Sequence, residues 1–178
     1  MTTIAVFGSA TTRSDEADYI AAQSVGRALG EAGYTVMTGG YTGIMEAASR
    51  GASEAGASVI GVTCAQIEVI RPGEANRWVT QQINYPSLNE RLNHLIFEAE
   101  GYVVMPGGLG TATELIMAWQ LIQVNEIPHN PLVCYGKHWQ ETLGLLFNSP
   151  HLHAPASEVL SFADSPEEVI RLIQTNSK

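Results

Sequence analysis

The chain reads as an α/β protein: a Rossmann-like open parallel sheet of about seven strands with helices on both faces, one domain over residues 1–178. Three observations predict this. Short, continuously apolar runs recur, as in Ile4-Ala5-Val6-Phe7 and Tyr102-Val103-Val104-Met105, the pattern of strands covered on both faces. Helical periodicities separate them, and alternating β and α argues for right-handed crossovers between parallel strands. Glycine-rich turns follow several strands, where open α/β sheets bind ligands.

The elements follow in order. The first strand, Thr3–Phe7, runs into Gly8-Ser9, and a helix over Glu16–Ala32 comes next. The second strand, Tyr34–Thr38, runs into Gly39-Gly40 and a helix over Gly43–Ala55. The third, Ser58–Thr63, leads into the longest irregular stretch, Cys64 to Trp78, with Arg71-Pro72-Gly73 inside it. Its length suits a mobile loop near the site and a plain surface excursion equally. Strand Thr80–Ile83 precedes a helix over Ser87–Glu98, and strand Gly101–Met105 precedes a helix over Thr111–Val124. Strand Pro131–Tyr135, helix Trp139–Phe147, strand Val159–Phe162 and helix Pro166–Thr175 complete the series.

Composition narrows the function classes. The 178 residues suit one domain with a sizeable core, and 45% hydrophobic content is ordinary for a globular protein. A net charge of −9 with nine Lys plus Arg spread along the chain argues against a nucleic-acid partner. Met1-Thr2-Thr3 leads straight into a strand, so neither a signal peptide nor a membrane span is expected, and the expected location is cytoplasmic. Cys64 and Cys134 sit near strand ends and read as buried free thiols. His151-x-His153 lies in a loop-like context with no Asp or Cys cluster, so no metal site is expected.

The densest signal is Met105-Pro106-Gly107-Gly108-Leu109-Gly110-Thr111-Ala112-Thr113-Glu114. An apolar strand stops, glycines allow close backbone approach, and a helix begins. Its first turn offers unpaired N–H groups and partial positive charge to an anion, which describes a phosphate cradle at Met105, Gly107, Gly108, Gly110 and Thr111. No Lys-Ser/Thr pair follows, so it is not a P-loop. The first strand lacks the three-glycine dinucleotide spacing and the second does not end in an acid. No G-x-S-x-G elbow is present. A second glycine turn, Gly39-Gly40-Tyr41-Thr42-Gly43, and the Gly8-Ser9 turn would lie on the same sheet edge and extend a floor of backbone donors. This adds Gly8, Ser9, Gly39, Gly40, Thr42 and Gly43 to the candidate ligand-binding residues.

Glu114 has two readings. Thr111-x-x-Glu114 matches a capping box; the same glutamate also sits in the first turn of the helix that presents the anion site. Ser87-x-x-Glu90 has the capping pattern without a glycine cradle and reads as structural. Arg91 lies at the edge of the stripe formed by Leu88, Leu92, Leu95 and Ile96. It can snorkel to solvent or aim its planar fork at a phosphate.

Pro106-Gly107-Gly108-Leu109-Gly110-Thr111-Ala112-Thr113-Glu114 resembles the PGGxGTxxE motif of the Lonely Guy family, formerly labelled lysine decarboxylase-like. Val6-Phe7-Gly8-Ser9, Gly39–Met45 and Leu88-Asn89-Glu90-Arg91 resemble its other segments. The resemblance implies a Rossmann-like homodimer with no cofactor that cleaves the N-glycosidic bond of a nucleoside 5′-monophosphate, AMP or a cytokinin riboside monophosphate, giving free base and ribose 5-phosphate. It implies catalytic roles for Arg91 and Glu114, with phosphate held by the glycine turn and Thr111. Leu92 stands where the family hydrolases usually have Lys, and Leu88 where Met is usual. Those departures resemble a wider branch of nucleotide-binding proteins that includes the molybdenum-cofactor carriers, so a non-catalytic carrier of a phosphorylated ligand is the alternative.

Overall fold

The structure is a computed structural model that describes residues 2–70, 73–152 and 158–176. Seven strands form one sheet in the order β4-β3-β2-β1-β5-β6-β7, and every pairing is parallel. The strands are β1 (Thr3–Phe7), β2 (Thr35–Thr38), β3 (Val59–Cys64), β4 (Gln81–Tyr85), β5 (Tyr102–Val104), β6 (Leu132–Tyr135) and β7 (Leu160–Ala163). The helices are α1 (Ala17–Glu31), α2 (Ile44–Glu54), α3 (Ala65–Ile70), α4 (Leu88–Phe97), α5 (Leu109–Gln123), α6 (His138–Phe147) and α7 (Pro166–Asn176).

Two apolar layers sandwich the sheet because successive side chains of a strand point to opposite faces. Ile4 and Val6 of β1 join Val25, Leu29, Ala48, Val169 and Ile173, which come from α1, α2 and α7. Ala5 and Phe7 join Leu95, Ile96, Leu115, Trp119 and Trp139, which come from α4, α5 and α6. The register agrees: Ala5 stands opposite Met37 of β2 and Tyr102 of β5, and all three belong to the second layer. Buried polar groups are satisfied, as burial requires: the Tyr102 hydroxyl donates to the Ile96 carbonyl at 2.7 Å, and the Trp139 indole N–H donates to the Met105 carbonyl at 3.0 Å. Helices α1 and α2 approach closely because Gly26 lies against the Ala48 backbone and Gly51 against that of Gln23.

Each expected strand and helix is present, with ends matching or moved by at most two residues. Two local expectations are corrected. The stretch after β3 is not irregular from its start: it opens with the helical turns of α3, which were hidden because a six-residue segment shows too little of the helical period. Arg71 and Pro72, expected in that stretch, lie outside the described residues, as does His153. Helix α5 begins at Leu109, with Gly108 as N-cap and no side-chain cap. Thr111 is therefore inside the first turn, and Thr111 with Glu114 is not a capping box. The pattern at Ser87 is a true cap: the Glu90 N–H donates to Ser87 Oγ at 3.3 Å, and the two side chains meet.

Candidate active site

The chain winds outward from β1 through β2 and β3 to β4, then returns to start again at β5 beside β1. That reversal makes a crevice at the carboxyl ends of β1 and β5, where α/β sheets hold ligands. A pocket of about 360 Å³ occupies it, at the lower end of the size range of small-molecule sites. Its wall includes Gly8, Ser9, Gly39, Arg91, Gly108, Gly110, Thr111 and Glu114 of the sequence-derived candidates.

One wall is the start of α5. Helix geometry leaves the N–H groups of Leu109, Gly110 and Thr111 without a carbonyl four residues back, and no side chain caps them. A Cβ placed on Gly108 or Gly110 would meet nothing within 4 Å. Both glycines thus leave open space where an anion can reach the backbone. Thr111 itself is buried.

The floor carries a buried pair of opposite charges. Arg91 is 5% exposed and Glu114 8%, and Arg91 Nη1 stands 3.7 Å from Glu114 Oε1. That is too long for a hydrogen bond and acts through Coulomb attraction alone. Arg91 is held from behind: its Nε donates to the Val62 carbonyl at 2.7 Å and its Nη2 reaches the Gly39 carbonyl at 3.4 Å. The Tyr41 ring lies 5.8 Å from its guanidinium carbon. A Cβ on Gly39 would overlap Arg91 Nη2 and crowd Met45 Sδ, so the glycine makes room for the guanidinium. Burial pushes the Glu114 carboxyl up to about 7, and the Arg91 charge only partly opposes this. A carboxyl near 7 is poised to take or give a proton at neutral pH.

The remaining candidates stand behind this surface. Gly43, at φ 70°, packs on the Ser9 and Ala10 backbone, and Ile44 N–H donates to the Ser9 carbonyl at 2.8 Å. The Thr42 hydroxyl donates to the Ala10 carbonyl at 2.9 Å. Gly40, at φ 79°, packs against Thr63, and Gly107 against Thr111. The Met105 side chain is wholly in the core. The Ser9 N–H donates to the Pro106 carbonyl at 3.1 Å, and its hydroxyl pairs with that of Thr11 at 3.0 Å. The three turns thus brace one another, and the uncapped start of α5 borders the pocket. Among the described residues, no group of three His, Cys, Asp or Glu side chains is placed to hold a metal. No helix there is long and apolar enough to cross a membrane.

Sequence reasoning missed several wall residues: Thr11, Tyr41, Met45, Ile67 and Leu109. Tyr41 and Leu109 were visible inside the glycine turns but were passed over for the glycines. Ile67 carries no local signal, because only the path of α3 brings it to the crevice.

The "possible lysine decarboxylase" family model matches residues 45–173, a span that includes Arg91 and the whole β5–α5 turn. A pyrimidine/purine nucleotide 5′-monophosphate nucleosidase from Escherichia coli K12 is 34% identical over a 109-residue alignment that covers 57% of this chain and 24% of that protein. The chain thus spans about a quarter of the length of the curated relatives it matches. Among solved structures, the molybdenum cofactor binding protein of Rippkaea orientalis superimposes with a TM-score of 0.77 at 24% identity, covering 98% of this chain and 96% of that one. The molybdenum cofactor carrier protein of Chlamydomonas reinhardtii gives 0.76 at 23% identity, covering 98% and 96%. These two share the fold. With the family model matched across residues 45–173, the chain belongs to the Lonely Guy family, whose model carries the description "possible lysine decarboxylase".

Proposed function

We propose that the protein hydrolyses the N-glycosidic bond of a nucleoside 5′-monophosphate to give the free base and ribose 5-phosphate. The observation that carries this reading is the buried Arg91–Glu114 pair directly beside the uncapped first turn of α5. The N–H groups of Leu109, Gly110 and Thr111 bind the phosphate with help from the helix terminus. That leaves the ribose over Glu114. As the C1′–N bond lengthens, positive charge grows at C1′ and the ring oxygen, and ionised Glu114 stabilises it. The same carboxylate orients a water molecule and accepts its proton while the water oxygen bonds to C1′. The electron pair of the breaking bond leaves on the base nitrogen, which gains a proton from solvent as Glu114 returns its own to solvent and is ionised again. Arg91 keeps Glu114 ionised in part and counters the ligand's charge. The nucleotide nucleosidase among the relatives supports the substrate class.

A second reading is a carrier that holds a phosphorylated ligand without turnover. Leu92, where the family hydrolases usually have Lys, is buried and supplies no charge; this favours the carrier. We further propose that the protein works as a homodimer. Leu88 and Phe97 of α4 and Ile116 of α5 are 44%, 48% and 48% exposed, an apolar surface suited to a second copy.

Incubation with AMP, GMP, CMP and UMP, followed by detection of free base and ribose 5-phosphate, tests the first reading. Base release that disappears in Glu114→Gln is the expected result. Tight nucleotide binding with no base released from any of the four overturns it in favour of the carrier.

A further inference from the structure

The pocket extends well beyond the phosphate wall. It starts at the β5–α5 turn, crosses the end of β1, and reaches the β2–α2 turn and the helix after β3. Three strand spacings separate β5 from β3, about 14 Å, a reach comparable to an extended nucleoside monophosphate. With phosphate at α5 and ribose over Glu114, the remainder of the ligand points toward β2 and β3. Tyr41, Met45 and Ile67 form the wall there.

That wall is built to pack and not to read hydrogen-bonding edges. The Tyr41 hydroxyl accepts from Cys64 N–H at 2.7 Å and donates to the Cys64 carbonyl at 3.1 Å. Its bonding capacity is used internally, and its ring is fixed. The turn beneath it is pinned too, since Asn76 Nδ2 donates to the Gly40 and Tyr41 carbonyls at 3.1 and 3.0 Å. Glu68, next to Ile67, accepts from Asn84 Nδ2 at 2.9 Å through its Oε1, which also lies 3.4 Å from the Tyr41 hydroxyl. Among the described residues at this end of the pocket, the side chains left to meet a ligand are a ring, a thioether and a branched alkyl group.

We propose that Tyr41, Met45 and Ile67 form the nucleobase subsite, which takes a flat heterocycle by apolar and ring contact, with none of these three side chains reading its edge. This rests on the hydrolase reading of the same pocket. The subsite therefore contributes affinity common to purines and pyrimidines, while the 5′-phosphate supplies selection.

Calorimetric binding of AMP and of ribose 5-phosphate, both measured in a Glu114→Gln background to prevent turnover, separates base from sugar phosphate. AMP should bind the parent more tightly than ribose 5-phosphate does. Ile67→Ala, which removes three carbons from a half-buried side chain, should weaken AMP about tenfold and leave ribose 5-phosphate unchanged. Tyr41→Ala should do the same, and Tyr41→Phe, which keeps the ring, should bind AMP nearly normally. Equal loss of both ligands, or no loss of either, overturns the subsite. Parent protein that binds AMP no better than ribose 5-phosphate overturns it while leaving the phosphate wall intact. Parent protein that binds neither ligand overturns the phosphate wall, and the base subsite with it.

Discussion

Replacing Glu114 by Gln should make the protein more stable at neutral pH while it loses turnover. The native carboxyl titrates at about 7 against an ordinary 4.5 because burial disfavours its charge. A folded-state value above the unfolded one means the native state holds the proton more tightly. The penalty is therefore absent below about pH 4.5, grows as pH rises, and is complete above about pH 7. At roughly 1.4 kcal/mol per pH unit, the gap amounts to about 3 kcal/mol. Gln carries no such penalty, and the influence of Arg91 is already contained in the native value. Every other carboxyl group is common to both proteins and cancels in the difference. Urea unfolding from about pH 4.5 to about pH 7.5 should show equal stabilities at the acid end. At the neutral end the Gln variant should lead by about 3 kcal/mol. Glycosidic cleavage should fall by about a hundredfold or more. A stability difference that stays flat across this range would refute the claim that burial holds a reactive carboxyl out of its normal state.

Three further outcomes are expected. Gly108→Val should fold normally, because a Cβ there meets nothing within 4 Å, yet lose phosphate and nucleotide affinity by about a hundredfold as its methyls cover the α5 N–H groups; titration with AMP or inorganic phosphate reads this. Gly39→Ala should push Arg91 away from Glu114. The rise in rate with pH that reports Glu114 ionisation should then move upward by about one pH unit, seen in the kcat/KM profile. Light scattering at micromolar concentration should give the mass of a dimer, and Ile116→Glu should yield a monomer.

The architecture was legible because strands buried on both faces cannot hide: runs such as Tyr102-Val103-Val104 have no polar break, and the structure covers them completely. Their order in the sheet followed from connection rules, not from any residue. The site was legible in outline. Glycines at strand ends marked the crevice, but the letters alone do not sort those that face it from those that pack behind it. The structure divides them: Gly108 and Gly110 open onto the pocket, whereas Gly39 and Gly43 accommodate other parts of the protein. Of the two readings of Glu114, the capping one falls because the helix starts two residues earlier; four letters cannot fix a register. Ile67 went unnoticed because its proximity is created by the path of α3 and has no spacing in the chain; Tyr41 stood inside the second glycine turn and was passed over for the glycines.

The space left by Gly39 for the Arg91 guanidinium ties together two positions 52 residues apart. Glycine-rich turns at strand ends are common and say little about chemistry. A side-chain-free position on the second strand's turn, together with an arginine in the helix after the fourth strand, is a far narrower specification. Among proteins of this architecture, that pair can serve as a fingerprint of the charged floor. A chain that has the glycine turn but lacks the arginine, or has the arginine opposite a bulkier residue, should be expected to carry a different chemistry in the same crevice.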